Sequence, residues 1–452
     1  FLPVLIIIYF IMPKKFKNII LFLASMIFYF YGEPKYILLM ILEILIAYIG
    51  GILIKKYKNK KMLFGIIIIH IIFLCFFKYT DFIIGNINNI FNANFKLLNL
   101  ALPIGISFYT FQIISYEIDV YRGKVDVQRN FLKLATYVSL FPQLIAGPIV
   151  RYETIENELD NRTHSFEKFS YGVERFVIGL AKKVLIANQL GQLCKVFTET
   201  NEKTILFYWI FAVGYMLQIY FDFSAYSDMA IGLGKMFGFD FLENFDYPYI
   251  SKSITEFWRR WHISLSNWFR DYLYIPLGGN RRGFMVSKLN VIFVFLVSGL
   301  WHGAGWNYVV WGGMHGVAQL FNNRKVNKNV KHNAVGWLKV LLTFLFVTLT
   351  WMVFRLGITE TVNTLSGLSW RWCSFSESMD RIVDNTLLTH AKLALCAVLL
   401  MVYDYFSLKR DLLKEFGRLN VVVRCAVYVF MIMFILFEMP LVVTSRFIYF
   451  QF

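Results

Sequence analysis

Long apolar runs recur from one end of this chain to the other, and they commit it to the inside of a lipid bilayer. The runs occupy 19–31, 36–54, 62–77, 97–118, 131–150, 172–190, 204–223, 289–312, 335–356, 391–407 and 420–443. A helix needs about 20 residues to cross, and several runs are shorter or carry polar residues, so about ten to twelve crossings are expected. With 58% hydrophobic and 19% aromatic residues, the composition is that of a polytopic membrane protein. No fixed-period repeat and no Pro- or Ser-rich linker divides the chain, so 1–452 reads as one membrane domain. The sequence opens at Phe1 inside an apolar stretch, and a short N-terminal piece is expected to precede it. Residues 1–13 are not read as a signal peptide, because the flank that would identify one is not visible.

A net charge of +17 raises nucleic acid as a partner, but the distribution argues against it. Lysines 14, 15 and 17 form one cluster, lysines 55, 56, 58, 60 and 61 a second, and Arg122, Lys124 and Arg129 a third. Double apolar runs separate them, the first turning at Gly32 to Lys35, so all three are expected on one face, the cytoplasmic one. Cys75, Cys194, Cys373, Cys396 and Cys425 show no C-x-x-C and no metal-ligand spacing, and read as buried small apolar residues. No metal is expected.

Of the polar interruptions, 357–390 reads as a surface loop with a short helix, whereas 240–288 is patterned. On one continuous helical wheel, Trp258, Trp261, Leu265, Trp268 and Tyr272 share a stripe, and Arg259, His262, Ser266 and Arg270 form a second. Pro276, Gly278 and Gly279 then end the helix. An interfacial anchor accounts for the pattern, with tryptophans at headgroup level and arginines reaching for phosphate. The alternative is a cationic side that holds an acidic ligand such as a nucleotide phosphate.

Among the histidines, His70, His164, His332 and His390 lie in an isoleucine-rich run or in polar loops and are given no chemical role. His302 follows a nearly unbroken apolar stretch from Leu289 to Trp301, a costly depth for an ionisable ring. His315 lies thirteen positions on. On an unbroken helix the two would stand about 140° apart, which argues against a two-histidine metal site, although Gly303, Gly305, Gly312 and Gly313 can bend the segment. A buried neutral imidazole suits general-base catalysis, typically worth about 10² to 10⁴ in rate. With no nucleophile motif beside it, direct transfer from a thioester to a hydroxyl is the economical chemistry.

These segments carry a resemblance. The stretch "EFWRRWHISLSNWFRDYLYIPLGGNRRG", followed by "SGLWHGAGWNYVVWGGMHG", is similar to the membrane-bound O-acyltransferase family, in its bacterial branch that acetylates alginate and other surface polysaccharides. The segments at 102–123, 141–152, 179–188, 218–249 and 447–452 match as well. The resemblance implies an all-α fold, a ring of about 10–12 tilted helices around a central tunnel, with re-entrant or interfacial helices. It implies catalytic roles for His302 and His262, and weaker tunnel or supporting roles for His315, Asn307, Ser266, Asp222 and Ser227. Arg259 and Arg270 are expected to meet the donor, acetyl-CoA, which is a substrate and not a resident cofactor. The expected acceptor is a cell-surface polysaccharide or an extracytoplasmic SGNH-type partner protein. D-alanyl transfer to teichoic acid is the alternative within the chemistry, and a proton-coupled transporter the alternative outside it.

Overall fold

The computed structural model of the chain describes residues 1–199, 205–321, 334–366 and 416–438. The run at 391–407, His332, His390, Cys373, Cys396 and the closing segment 447–452 lie outside the described residues. Those described are all-helical, with no strand among them.

The first layer is α1 (Leu2–Ile11), α2 (Lys17–Gly32), α3 (Ile37–Tyr57) and α4 (Lys60–Phe91). The turn from α2 to α3 falls at Gly32 to Lys35, as the charge pattern predicts. Asn59 starts α4 by accepting the amide of Lys61 at 2.8 Å. Phe64, Ile68, Ile72, Phe76 and Ile83 of α4 are exposed in the way a lipid-facing side requires. Then come α5 (Ile106–Arg122), α6 (Phe131–Ser139) and α7 (Tyr152–Asn161). Lys55 reaches Asp126 at 2.8 Å, the Tyr48 hydroxyl donates to the Arg129 carbonyl, and Arg162 donates to Asn18. The three basic clusters are thus gathered at one end of the bundle, called here the basic end.

At the same end, Arg162 and His164 both meet the Tyr9 hydroxyl, which itself donates to the Phe237 carbonyl. Burial, helped by Lys17 and Arg162, pushes the His164 imidazole down to about 4, so it stays neutral and acts as a packing group.

Helices α8 (Phe166–Ala181) and α9 (Asn188–Glu199) are joined by a π segment, Lys182–Ala187, and both pack along the 32-residue α10 (Ile205–Met236). Two short helices follow, α11 (Ile254–Arg260) and α12 (Ile263–Phe269). The hairpin of α13 (Phe284–His302) and α14 (Trp306–Leu320) comes next, then α15 (Ala334–Leu356), α16 (Ile358–Ser366) and α17 (Val421–Glu438). Close approach of α13 and α14 depends on glycine: a Cβ on Gly299 would sit 2.1 Å from the Tyr308 carbonyl oxygen, and one on Gly312 2.2 Å from that of Phe295.

Four described helices, α3, α4, α13 and α15, are long and apolar enough to cross a membrane alone. Several expected crossings are built differently. The run 131–150 is α6 followed by turns through Pro142 and Pro148, where helical hydrogen bonds cannot continue. The run 97–118 becomes helix only from Ile106, after Pro103 and Gly105. The run 289–312 is split by the α13–α14 turn. Of the cysteines, Cys194 is buried and Cys75 half-buried, but Cys425 is exposed, against expectation, because it lies on the open apolar side of α17.

Candidate active site

The stretch read as one helix is two. Helix α11 is started by Ser253, whose hydroxyl accepts the Glu256 amide, and it stops at Arg260. Trp261 is extended and His262 adopts the left-handed conformation at φ 45°, ψ 56° before α12 begins. That conformation costs an L-residue about 1–2 kcal/mol and persists only where the surroundings over-determine it. Here the 244–246 segment does so. The Asn244 carbonyl accepts from Ile263 N at 2.9 Å, and Asp246 N donates to the Arg260 carbonyl at 2.9 Å. The Asn244 side-chain oxygen accepts from Ser264 N, from Ser264 Oγ and from His262 Nδ1, at 3.1, 2.9 and 3.1 Å. Since a backbone amide can only donate, the atom facing His262 Nδ1 is the oxygen, and Nδ1 carries the proton. The lone pair of a neutral His262 therefore lies on Nε2.

Splitting the helix also undoes the continuous stripes. Trp258, Trp261, Leu265, Trp268 and Tyr272 are all buried, so the aromatic side is packed protein and not a headgroup anchor. Trp268 stacks on Phe111 with centroids 3.7 Å apart and donates to the Phe111 carbonyl. On the other side, His262 is buried while Arg259 and Arg270 are exposed, so histidine and arginines do not face one cavity. Arg270 holds both carboxylate oxygens of Asp271. Burial pushes the Asp271 carboxyl up, but Arg270 and Arg151 outweigh it and keep it below the ordinary carboxylate range. Ser266, half-buried, reaches the Trp261 carbonyl at 3.5 Å.

His302 is the last residue of α13 and is 3% exposed. Its ring is caged by Trp301, Trp311 and Phe354, at centroid distances of 5.0, 5.2 and 5.7 Å. His262 approaches the same Trp301 at 6.2 Å, so both imidazoles border one indole. The hairpin removes the unbroken-helix premise and brings His315 to the other side of Trp311, 5.0 Å away. Both His315 nitrogens are engaged. Trp258 Nε1, a pure donor, meets Nδ1 at 3.1 Å, so the proton resides on Nε2, which donates to Thr350 Oγ1 at 3.0 Å. His315 is a supporting residue that ties α11, α14 and α15 together.

A cavity of 1470 Å³ lies along α8, with Ser165 at the basic end on its lining. Its lining runs from Ser165 to Lys182, about 26 Å of helix rise, and reaches Tyr220, Ser224, Ser227 and Asn244. Arg175 and Lys182 on its wall share Asp228, at 2.6 Å each. Ser227 is on its lining. Asp222 is not; it pairs with Lys183 at 2.5 Å and fastens α10 to the π segment. Asn307 donates to the Phe354 carbonyl and fixes the end of α15, which helps set the His302 cage. A smaller cavity of 180 Å³ lies against Ala304, two residues past His302, with Lys78 and Asp81 of α4 on its wall.

Asn244 is the site residue that sequence reasoning missed. The nearest signal was a lone amide between Glu243 and Phe245 ahead of the patterned stretch, and nothing in its spacing points to His262. Asn244→Ala removes the acceptor of Nδ1 and the side-chain bonds that hold the turn. Acyl transfer is expected to fall by about 10²-fold, the effect of misplacing a reacting group by about 1 Å. Asn244→Asp, which keeps the acceptor, should retain more activity in the same rate assay. A wild-type rate for the alanine variant would remove His262 from the chemistry.

The described residues form an all-helical membrane protein in which two buried imidazoles border one indole and Asn244, the partner of one of them, lines a large cavity, an arrangement suited to acid–base chemistry inside the bilayer. The family described as MBOAT, membrane-bound O-acyltransferase, matches residues 124–362, which contain all three buried site histidines. Similar proteins include a probable alginate O-acetylase of Pseudomonas syringae pv. tomato, 40% identical over 90% of this chain and 80% of that protein. A peptidoglycan O-acetyltransferase of Helicobacter pylori is 34% identical over 91% and 88%. A teichoic acid D-alanyltransferase of Bacillus subtilis is 29% identical over 57% and 69%. The chain belongs to the membrane-bound O-acyltransferase family and is a membrane-embedded acyltransferase.

Proposed function

We propose that the protein takes an acetyl group from acetyl-CoA on the cytoplasmic side and delivers it to a cell-surface polysaccharide, directly or through an extracytoplasmic SGNH-type partner. The observation that carries the reading is the 1470 Å³ cavity, which reaches the basic end at Ser165 and has Asn244, the partner of His262, on its lining. The positive-inside rule makes that end cytoplasmic, where coenzyme A is found. The donor contacts move with it. Arg259 and Arg270 are not on the lining, whereas Lys168, Arg418 and Arg424 are, and they suit its phosphates. The smaller cavity at Ala304, two residues past His302, is the candidate approach for the acceptor.

His302 then acts as the general base. It takes the proton from an acceptor hydroxyl while the oxygen attacks the thioester carbonyl. The carbon–sulfur bond breaks, the ester forms, and the thiolate of coenzyme A recovers the proton. His262, with its lone pair on Nε2 and its ring against the same Trp301, is the candidate to hold or relay that proton.

Incubating membranes with acetyl-labelled acetyl-CoA tests the reading. Label is expected on polysaccharide or on a partner protein's serine. Absence of transfer from acetyl-CoA, together with transfer from a D-alanyl carrier-protein thioester, would replace it with the alternative acyl group.

A further inference from the structure

Helix α13 ends on its catalytic candidate, and the last carbonyls of any helix have no partner within it. In a membrane protein those groups must be met by something other than water. Two consecutive side chains of α4 meet them. The Tyr79 hydroxyl donates to the Leu300 carbonyl at 2.7 Å. Lys78 Nζ donates to the Trp301 carbonyl at 2.5 Å, to Ser107 Oγ of α5 at 3.2 Å and toward the His302 carbonyl at 3.5 Å.

All three ammonium donors are therefore directed at named acceptors, two of them carbonyls at the end of α13. Among the described residues no carboxylate lies within ion-pair distance of Lys78. The nearest acid on its own helix, Asp81, is occupied by the amides of Leu98 and Asn99. What offsets the charge is the negative end of the α13 dipole, with the Trp301 ring 5.8 Å away.

We propose that Lys78 is a positioning residue for the acyl-transfer reaction: its ammonium locks the C-terminal turn of α13 against α4 and α5, and so fixes where the His302 ring stands. The proposal rests on His302 being the base. A lysine that only supported folding would be replaceable at equal cost to all properties of the enzyme, whereas a lock on His302 acts on turnover. Lys78→Met keeps the length and apolar stem and removes the charge and donors. Its kcat is expected to fall by about 10²-fold with KM for acetyl-CoA little changed, since Lys78 is not among the residues that line the donor cavity. Lys78→Arg, which restores a cation and donors, should recover most of the loss.

The rates are measured per amount of folded protein, judged by monodisperse behaviour in detergent. His302→Ala is run in parallel. Should Lys78→Met fail to accumulate, Lys78→Gln, which keeps a donor without charge, replaces it with the same expectation. Wild-type kcat in either neutral variant, or no recovery with arginine, overturns the role of Lys78. Unchanged activity in His302→Ala overturns instead the reading on which it rests.

Discussion

Exchange of His302 for alanine lowers acyl transfer by about 10² to 10⁴-fold, the contribution expected of a general base. The ring is buried and caged by Trp301, Trp311 and Phe354, so solvent water has little room to take over as base. The same cage makes alanine an imperfect test, because deleting a buried ring leaves a cavity that also weakens packing. His302→Gln fills more of the space without a comparable base, and it should lose activity to a similar degree while retaining more stability. Initial rates with labelled acetyl-CoA, normalised to folded protein, give the comparison. If both variants turn over at the wild-type rate, the base is elsewhere, and His262 becomes the first residue to examine.

The second large effect concerns a site with no direct part in the reaction. His70 on α4 meets the Glu43 carboxylate of α3 through Nδ1 at 2.6 Å and the Glu117 carboxylate of α5 through Nε2 at 3.2 Å, with all three side chains fully buried. A neutral imidazole has one donor, so the three groups must share protons to satisfy both contacts. His70→Leu leaves two acidic groups in a low-dielectric interior with their common partner gone. Breaking a buried ionic contact in this way costs about 3–5 kcal/mol, which should appear as a clear drop in thermal midpoint in detergent. Replacing Glu43 and Glu117 with methionine in the same chain should recover most of the loss, because an apolar trio of similar volume requires no compensation. A single variant as stable as the wild type would show that the triad does not hold α3, α4 and α5 together.

His70 also marks a limit of sequence reasoning. An isolated histidine in an isoleucine-rich run looks inert until the two glutamates, 27 and 47 residues away, are placed beside it. Asn244 makes the same point at the active site, since its hold on His262 crosses 18 residues and has no periodic signature. By contrast, His302 stood out because its apolar approach alone made a polar ring expensive, and its burial in the structure agrees.

The wheel drawn through 257–275 shows how a correct local pattern can mislead. Its aromatic residues do share the interior, as the spacing requires, but the helix carrying them turns at Trp261 and His262. That turn arises because the 244–246 segment supplies hydrogen bonds to Arg260, Ile263 and Ser264 that a continuous helix would have made internally.

What the sequence determined by itself was whatever follows from neighbours along the chain. The apolar runs place helices in a bilayer, the basic clusters share one end, and the W-H-G histidine lies deep. What only the tertiary structure decided was which side chains meet across helices: the split that buries His262 and exposes Arg259 and Arg270, the α13–α14 hairpin that turns His315 into a supporting residue, and the cavity that has Asn244, the partner of His262, on its wall. These depend on backbones brought within contact by glycines and on hydrogen bonds between distant residues, and such pairings have no period along a chain from which they could be read.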